Sequence, residues 1–127
     1  MKKLILAMTM LVAMVASAHA QAEIKFDKVI HNFGTFSEKA PVQKTTFTFT
    51  NVGDKPLIIN QAIASCGCTV PSYTKTPIAP GKQGQISITY NGKGMFPGHF
   101  KKSITVRSNG NVEMTRLYIE GVMSEDK

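Results

Sequence analysis

The feature that most constrains the fold is an alternation of apolar and polar residues with a period of two. In residues 45–51, Phe47 and Phe49 fall on one side of the chain and threonines fall on the other. Residues 85–90 alternate in the same way. This period is typical of a strand with one buried and one solvated face. Residues 21–127 contain no run with helical spacing of apolar residues over three turns, so the sequence predicts an all-β chain.

Turn residues separate further runs that are rich in β-branched and aromatic residues. These runs predict additional strands at residues 24–30, 33–36, 56–64, 100–107 and 112–122. The adjacent apolar residues in 56–64 favour a central strand that is covered on both faces. Asn109 and Gly110 predict a tight hairpin turn between the last two strands, because both residues tolerate positive φ.

Prolines interrupt residues 70–81, which we interpret as an irregular crossing between two strands. Within it, Pro80 and Gly81 fit a type II turn. Seven to eight short antiparallel strands, with turn signals every eight to twelve residues or so, predict an immunoglobulin-like β-sandwich. The chain has no tryptophan and only two cysteines, which are close together, so it lacks the core signature of antibody domains. The length favours one domain over residues 21–127.

Residues 1–20 have the pattern of a secretory signal peptide. Two lysines precede an apolar run over residues 4–15, and Ala18 and Ala20 occupy the small-residue positions before a cleavage site at Gln21. The apolar run is shorter than the ~20 residues of a membrane-spanning helix, and we expect no other membrane span. A lipoprotein would need a cysteine at the position of Gln21. We therefore expect a periplasmic or extracellular protein after cleavage.

The charge of the chain is positive, with a formal net charge of +7 and a sequence pI of about 9.6. A basic chain raises the question of a nucleic-acid partner. The lysines are scattered along the sequence, however, and export removes most nucleic-acid partners. We expect no nucleic acid as a partner.

Cys66 and Cys68, which flank Gly67, are the only two cysteines. The Cα atoms of residues two apart can lie within the roughly 4.4–6.8 Å that a disulfide needs, and export favours oxidation. The bridge would close a loop of only three residues. The loop-closure entropy would then stabilise the folded state by about 1.6 kcal/mol, against ~3 kcal/mol for a loop of fifteen residues. Glycine suits so tight a ring because it enters strained backbone regions at little cost. We expect such a bond to be reduced easily.

Three other interpretations of the pair stay open. Two thiolates can hold a soft ion such as Cu(I), but a closed zinc site wants four ligands, and His31, His99 and isolated methionines are not spaced as a ligand motif. Nucleophilic catalysis would need a histidine and an orienting group beside one cysteine. In the structural interpretation, both cysteines simply close the end of a strand. Cys66 and Cys68 are therefore a candidate disulfide, redox or soft-metal pair, with no metal, cofactor or catalytic residue assigned.

Several short runs together resemble the exported bacterial family known as domain of unknown function 1573. The resemblance rests on the sequences at residues 31–34, 47–53, 56–59, 65–69, 80–81, 90 and 100–106. It covers essentially all of residues 21–127. The resemblance implies an immunoglobulin-like sandwich related to Hydin-type domains and places the family's Cys-Gly-Cys pair at Cys66 and Cys68. It implies no activity.

Enzyme motifs are missing from the sequence: it has no paired acids, no His-Glu-x-x-His and no Gly-x-Ser-x-Gly. The glycine-rich residues 92–98 precede a strand rather than a helix, so they predict a turn and not a phosphate loop. Sandwiches of this size commonly act as binding or spacer modules. We expect an exported, non-enzymatic binding or structural module of the cell envelope, whose partner is another protein or envelope component. The alternative is a thiol-dependent redox or soft-metal function at Cys66 and Cys68.

Processing is the first testable point. The exported protein should have the intact mass of residues 21–127, less ammonia if Gln21 cyclises, because the small residues before Gln21 define the cleavage site. Mass spectrometry of the protein from the cell envelope measures this directly. An exported species that retains residues 1–20 would contradict it.

Overall fold

The structure is a computed structural model that describes residues 21–125, so the signal-peptide prediction lies outside the described residues. This part of the chain forms eight strands and no helix. The strands are β1 (Ile24–Phe26), β2 (Ile30–Ser37), β3 (Val42–Asn51), β4 (Ile59–Ala64), β5 (Thr69–Tyr73), β6 (Gln83–Asn91), β7 (Gly98–Ser108) and β8 (Met114–Ser124). They make two four-stranded sheets, in the orders β1-β3-β6-β5 and β2-β8-β7-β4. The predicted β-sandwich is confirmed.

One apolar core lies between the two sheets. Phe47 and Phe49 of β3 have no exposed surface, which confirms the face predicted from the alternation. The other buried core residues on the strands are Ile59, Ile86, Ile88, Tyr90, Ile104, Val106, Leu117 and Ile119. They come from both sheets, so burial of the alternating apolar positions holds the two layers together.

One pair of strands departs from the antiparallel prediction, since β2 runs parallel to β8. The predicted single strand over residues 24–30 is broken at the same place. The Asp27 N–H donates to the Thr48 carbonyl of β3 (3.0 Å), whereas the Val29 carbonyl accepts from the Tyr118 N–H of β8 (2.8 Å). The chain therefore changes sheets within residues 27–29 and enters the second sheet beside β8 without reversing.

The prediction of a central strand over residues 56–64 is wrong, because β4 begins at Ile59 and lies at the edge of its sheet. Leu57 and Ile59 are buried, but Ile63 is 50% exposed. The adjacent apolar residues are therefore not buried on both faces of the strand. One face is buried in the core, and the other presents apolar side chains to solvent.

The predicted crossing after the cysteines contains strand β5, at the edge of the first sheet. The Cys68 carbonyl accepts from Asn91 (2.8 Å) and the Thr74 N–H donates to Gln85 (3.1 Å), both across the β5–β6 pair. In an antiparallel ladder the intervening odd-numbered residues then direct their backbone groups to the free edge. Pro71 occupies such a position, where a missing N–H costs no ladder bond.

Two predicted turns have different outcomes. Gly81 has a φ of +81°, and the Lys82 N–H donates to the Ala79 carbonyl (3.0 Å), as a type II turn requires. Strands β7 and β8 pair antiparallel as predicted, but their loop is longer than two residues and Gly110 has no positive φ. The cause is Asn109, whose side chain accepts from the Ile58 N–H (2.8 Å) and so turns toward β4 instead of forming the tight turn.

Asn51, at the end of β3, is a fully buried polar residue. Its Oδ1 accepts from the N–H groups of Gly53 (2.9 Å) and Glu23 (3.3 Å). Its Nδ2 donates to the carbonyls of Lys55 (2.7 Å) and Ile78 (2.9 Å). All four hydrogen-bonding capacities of the amide are therefore used.

Asn51→Ala should lower the free energy of unfolding by about 3 kcal/mol, because it removes the side-chain partner of the partly buried Glu23 and Gly53 N–H groups and of the Lys55 carbonyl. The matched control is Asn91→Ala, since Asn91 is exposed and its side chain makes one local bond to the Lys93 N–H (2.9 Å). We expect the control to cost about 1 kcal/mol or less. Denaturant unfolding of both variants measures the difference, and equal losses would contradict the role of Asn51.

Candidate functional site

The two cysteines lie in the turn that joins β4 to β5, where the chain passes from the edge of one sheet to the edge of the other. Cys66 and Cys68 form a disulfide with a Cα–Cα distance of 5.1 Å. This distance falls within the range required for a bridge, so the predicted pairing is confirmed. We call residues 65–69 the cysteine turn.

Backbone hydrogen bonds fix the cysteine turn to both sheets. The Ser65 N–H donates to the Ser103 carbonyl of β7 (2.9 Å), and the Asn91 N–H of β6 donates to the Cys68 carbonyl (2.8 Å). Within the turn, the Thr69 N–H donates to the Cys66 carbonyl (3.1 Å). These contacts are made by backbone atoms rather than by the sulfurs, so we expect them to persist when the bridge is reduced.

The bridge itself is partly accessible. Both cysteines are half-buried, and Cys68 packs against the apolar core. The Cys66 Sγ accepts from the Cys68 N–H (3.1 Å), while the Cys68 Sγ lies 3.5 Å from the Thr69 hydroxyl. Cys68 is thus the cysteine that contacts the core, and neither cysteine is fully buried.

The expected role of Gly67 is wrong. Its φ is not positive, and a Cβ added there would meet no atom within 4 Å. The turn is formed by the carbonyl of Cys66 and the N–H of Thr69, a geometry that an L-residue at position 67 can adopt. Glycine is thus not needed to close the ring.

The histidines considered as ligands make their contacts elsewhere. His31 of β2 has its Nδ1 2.8 Å from the Lys28 Nζ and packs edge-on against Phe33. Burial, together with the charge of Lys28, lowers the pKa of His31. His99 of β7 lies 3.7 Å from the Glu120 carboxylate. Within residues 21–125, no group of three or more His, Cys, Asp or Glu side chains is arranged to hold a metal ion.

The distribution of acidic residues is a feature that the sequence interpretation missed. Residues 55–112 contain no aspartate or glutamate. The basic residues of this segment are Lys55, Lys75, Lys82, Lys93, Lys101, Lys102 and Arg107. Plotting charge along the sequence would have revealed the segment, whereas the net charge alone concealed it.

The fold places this acid-free segment on one side of the molecule. It contains β4 to β7, and these are the adjacent pair β6-β5 of one sheet and the adjacent pair β7-β4 of the other. We call residues 55–112, which contain these four strands, the acid-free half. Acids adjoin it at the boundary: Asp54 directly precedes Lys55, Glu120 of β8 lies opposite Lys101 and 3.7 Å from His99, and Arg107 lies 3.8 Å from Glu113.

Apolar side chains are exposed on the acid-free half as well. They are Ile58 (40%), Ile63 (50%), Val70 (60%), Phe96 (94%) and Val112 (47%). Phe96 lies in the β6–β7 connection, which the sequence had marked only as a glycine-rich turn. Singly exposed aliphatic residues are common on protein surfaces, whereas an exposed aromatic ring such as Phe96 is of the kind enriched at protein interfaces.

The family comparison matches most of the chain. The family described as "Protein of unknown function (DUF1573)" matches residues 24–123. No curated protein matches the sequence at a significant level. Residues 21–125 include no helix that is long and apolar enough to cross a membrane.

Solved structures share the fold at low sequence identity. A protein of unknown function from Porphyromonas gingivalis W83 has a TM-score of 0.70 and 16% sequence identity. The match covers 85% of this chain and 50% of that chain. The ASH / PapD-like domain of human CEP192 has a TM-score of 0.63 and 12% identity, covering 87% of this chain and 92% of the domain. The YadV chaperone has a TM-score of 0.58 and 13% identity, covering 80% of this chain and 52% of the chaperone.

Reduction of the bridge should leave the protein folded. Because the closed loop is only three residues long, the loss of unfolding free energy should be about 2 kcal/mol or less. Gly67→Ala is the matched turn variant and should change stability by less than about 1 kcal/mol. Thermal melts with and without reductant measure both. A larger loss on reduction would identify the bridge as a main support of the fold.

Proposed function

The chain belongs to the DUF1573 family of proteins of unknown function, and we propose that it is an exported, non-enzymatic module of the cell envelope that binds another protein. The observation that carries this proposal is the acid-free half, residues 55–112, which contains seven basic residues, five exposed apolar residues and no acid. Such a surface attracts an acidic partner and offers it apolar area to bury.

The positive charge of the described residues is concentrated on the acid-free half. Lys55, Lys75, Lys82 and Lys93 are all exposed. The described residues outside 55–112 carry more acids than bases, so the positive field is concentrated on one side of the sandwich. A field of this kind speeds the encounter with an acidic surface and orients the approaching partner.

The edge of β5 favours binding through side chains rather than by addition of a strand. Pro71 has no N–H at the free edge, and the N–H of Thr69 donates to the Cys66 carbonyl (3.1 Å). Two of the three outward-facing positions of β5 therefore have no donor for an incoming strand. The exposed Val70 and Ile63 side chains remain as contact surface.

The structural neighbours support protein binding in a general way. One of them is named as a chaperone and another as a PapD-like domain. Identity to both is below 15%, so the likeness supports the fold and leaves the partner to be found by experiment.

A matched pair of charge reversals tests the proposal. The full chain is produced with its leader in the source bacterium, cross-linked with formaldehyde in intact cells and purified by a tag. We expect one discrete protein adduct. Its yield should fall at least about tenfold when Lys55 and Lys82 are both changed to Glu, because the reversal opposes an acidic partner.

The control changes Lys25 and Lys44 to Glu, which alters the net charge by the same amount on exposed sites outside the acid-free half. We expect less than about a twofold effect from it. The absence of any protein adduct would overturn the proposed function. Equal loss in both variants would show that net charge, rather than the acid-free half, controls binding.

The second candidate is thiol exchange at the cysteine turn, favoured by the half-exposed bridge between Cys66 and Cys68. A partner thiolate would attack one sulfur, form a mixed disulfide and leave the other sulfur as a thiolate. A Cys66→Ser, Cys68→Ser double variant separates the two functions. Retention of the formaldehyde adduct supports protein binding, and its loss would favour the thiol function instead.

A further inference from the structure

We infer that the β6–β7 connection, residues 92–97, is the anchor of this interaction, and that Phe96 inserts into an apolar pocket rimmed by carboxylates on an acidic partner protein. We call these residues the Phe96 loop. The inference rests on the proposed protein-binding function and goes further, because it names the residue that penetrates the partner and the chemistry of the pocket.

The exposure of Phe96 sets it apart from every other aromatic ring of residues 21–125. Its side chain is 94% exposed, while Phe36 and Phe100 nearby are half-buried. The benzyl group of phenylalanine is apolar, so contact with water is unfavourable. Burying it in a partner would contribute about 1.5–3 kcal/mol to the free energy of binding. Aromatic residues of this kind commonly act as the anchors of protein interfaces.

The Phe96 loop is ordered before any partner binds. The Met95 N–H donates to the Gly92 carbonyl (2.9 Å), and the Gly92 N–H donates to the Pro41 carbonyl (2.9 Å). Gly94 has a φ of +82°, a conformation that favours glycine. Pro97 restricts the backbone of Phe96 as well. A fixed loop loses little conformational entropy on binding, which favours affinity.

An aromatic stack closes the core directly below the Phe96 loop. Tyr90, at the end of β6, stacks on Phe100, at the start of β7, with ring centroids 4.1 Å apart and planes within 5°. Phe36 packs edge-on against both rings, at 6.4 and 5.9 Å. Burial raises the pKa of Tyr90. The space between the strand ends is thus already filled, and Phe96 is held outside it.

Charge complementarity identifies the occupant. Lys93 lies in the loop and is exposed, while the Nζ of Lys101 on β7 lies 4.9 Å from the centre of the Tyr118 ring, and Lys101 is opposite Glu120 of β8. A partner pocket with Asp or Glu at its rim would pair with Lys93 while its apolar floor receives the ring.

Photo-cross-linking tests the anchor. Phe96 is replaced by benzoylphenylalanine in the full chain, and the same replacement at Val29, which is 41% exposed outside the acid-free half, is the control. After irradiation of intact cells, position 96 should give a protein adduct whose cross-linked peptide contains Asp or Glu. Position 29 should give at least about tenfold less of it.

Affinity measurements with the partner identified in this way give the second readout. Phe96→Ala should weaken binding at least about tenfold, with an unchanged melting temperature because the side chain is outside the core. Lys93→Glu should also weaken binding, whereas Lys44→Glu, an exposed reversal outside the acid-free half, should change it by less than about twofold.

The outcomes separate this inference from the proposed function. A lipid or glycan adduct at position 96, or a protein adduct no stronger than at position 29, overturns the anchor. If the yield of the formaldehyde adduct still falls on reversal of Lys55 and Lys82, the proposed protein binding is supported even though Phe96 is not the anchor. If no protein adduct forms by either method, both the anchor and the proposed function are wrong.

Discussion

The buried amide of Asn51 is the interaction on which one end of the sandwich depends. It joins the approach to β1 at Glu23, the turn after β3 at Gly53 and Lys55, and the chain at Ile78 that leads into β6. Each of these bonds would be lost if the chain left β3 by another path. Because an unpaired buried amide is costly, these four bonds favour this route from one sheet to the other over any that leaves Asn51 unpaired.

The opposite end of the sandwich is closed by different means. The Tyr90–Phe100 stack fills the space between the ends of β6 and β7, and the cysteine turn connects β4 to β5 beside it. The one buried polar side chain of the cysteine turn is Thr69, whose hydroxyl lies 3.5 Å from the Cys68 Sγ, so no side chain here joins several segments as Asn51 does. Connecting segments such as the Phe96 loop are where binding residues commonly lie.

The sequence predicted the sandwich because alternation of apolar residues reports a buried face directly, as Phe47 and Phe49 demonstrate. The sequence-based predictions were wrong where a residue's hydrogen-bond or strand partner is far away in the sequence. Asn109 looked like a turn residue, but it bonds to Ile58 across the loop, and Pro71 looked like an interruption although it lies on a free strand edge. The disulfide was predictable because its partners are two residues apart. The acid-free half needed the strand order, since only the pairing of β6 with β5 and β7 with β4 gathers residues 55–112 on one side.

The cysteine turn and the Phe96 loop are related through the strand between them. The carbonyl of Cys68 accepts from the N–H of Asn91 (2.8 Å), and the next residue, Gly92, begins the Phe96 loop. A Cβ at Gly92 would lie 2.8 Å from the Sδ of the buried Met123, so the loop starts in close contact with the core. The hydrogen-bonded turn and the aromatic stack below it together hold Phe96 beyond the sheets. This arrangement favours affinity in a binding module. The conformational entropy of the loop is lost during folding, so little more is lost when the ring binds a partner.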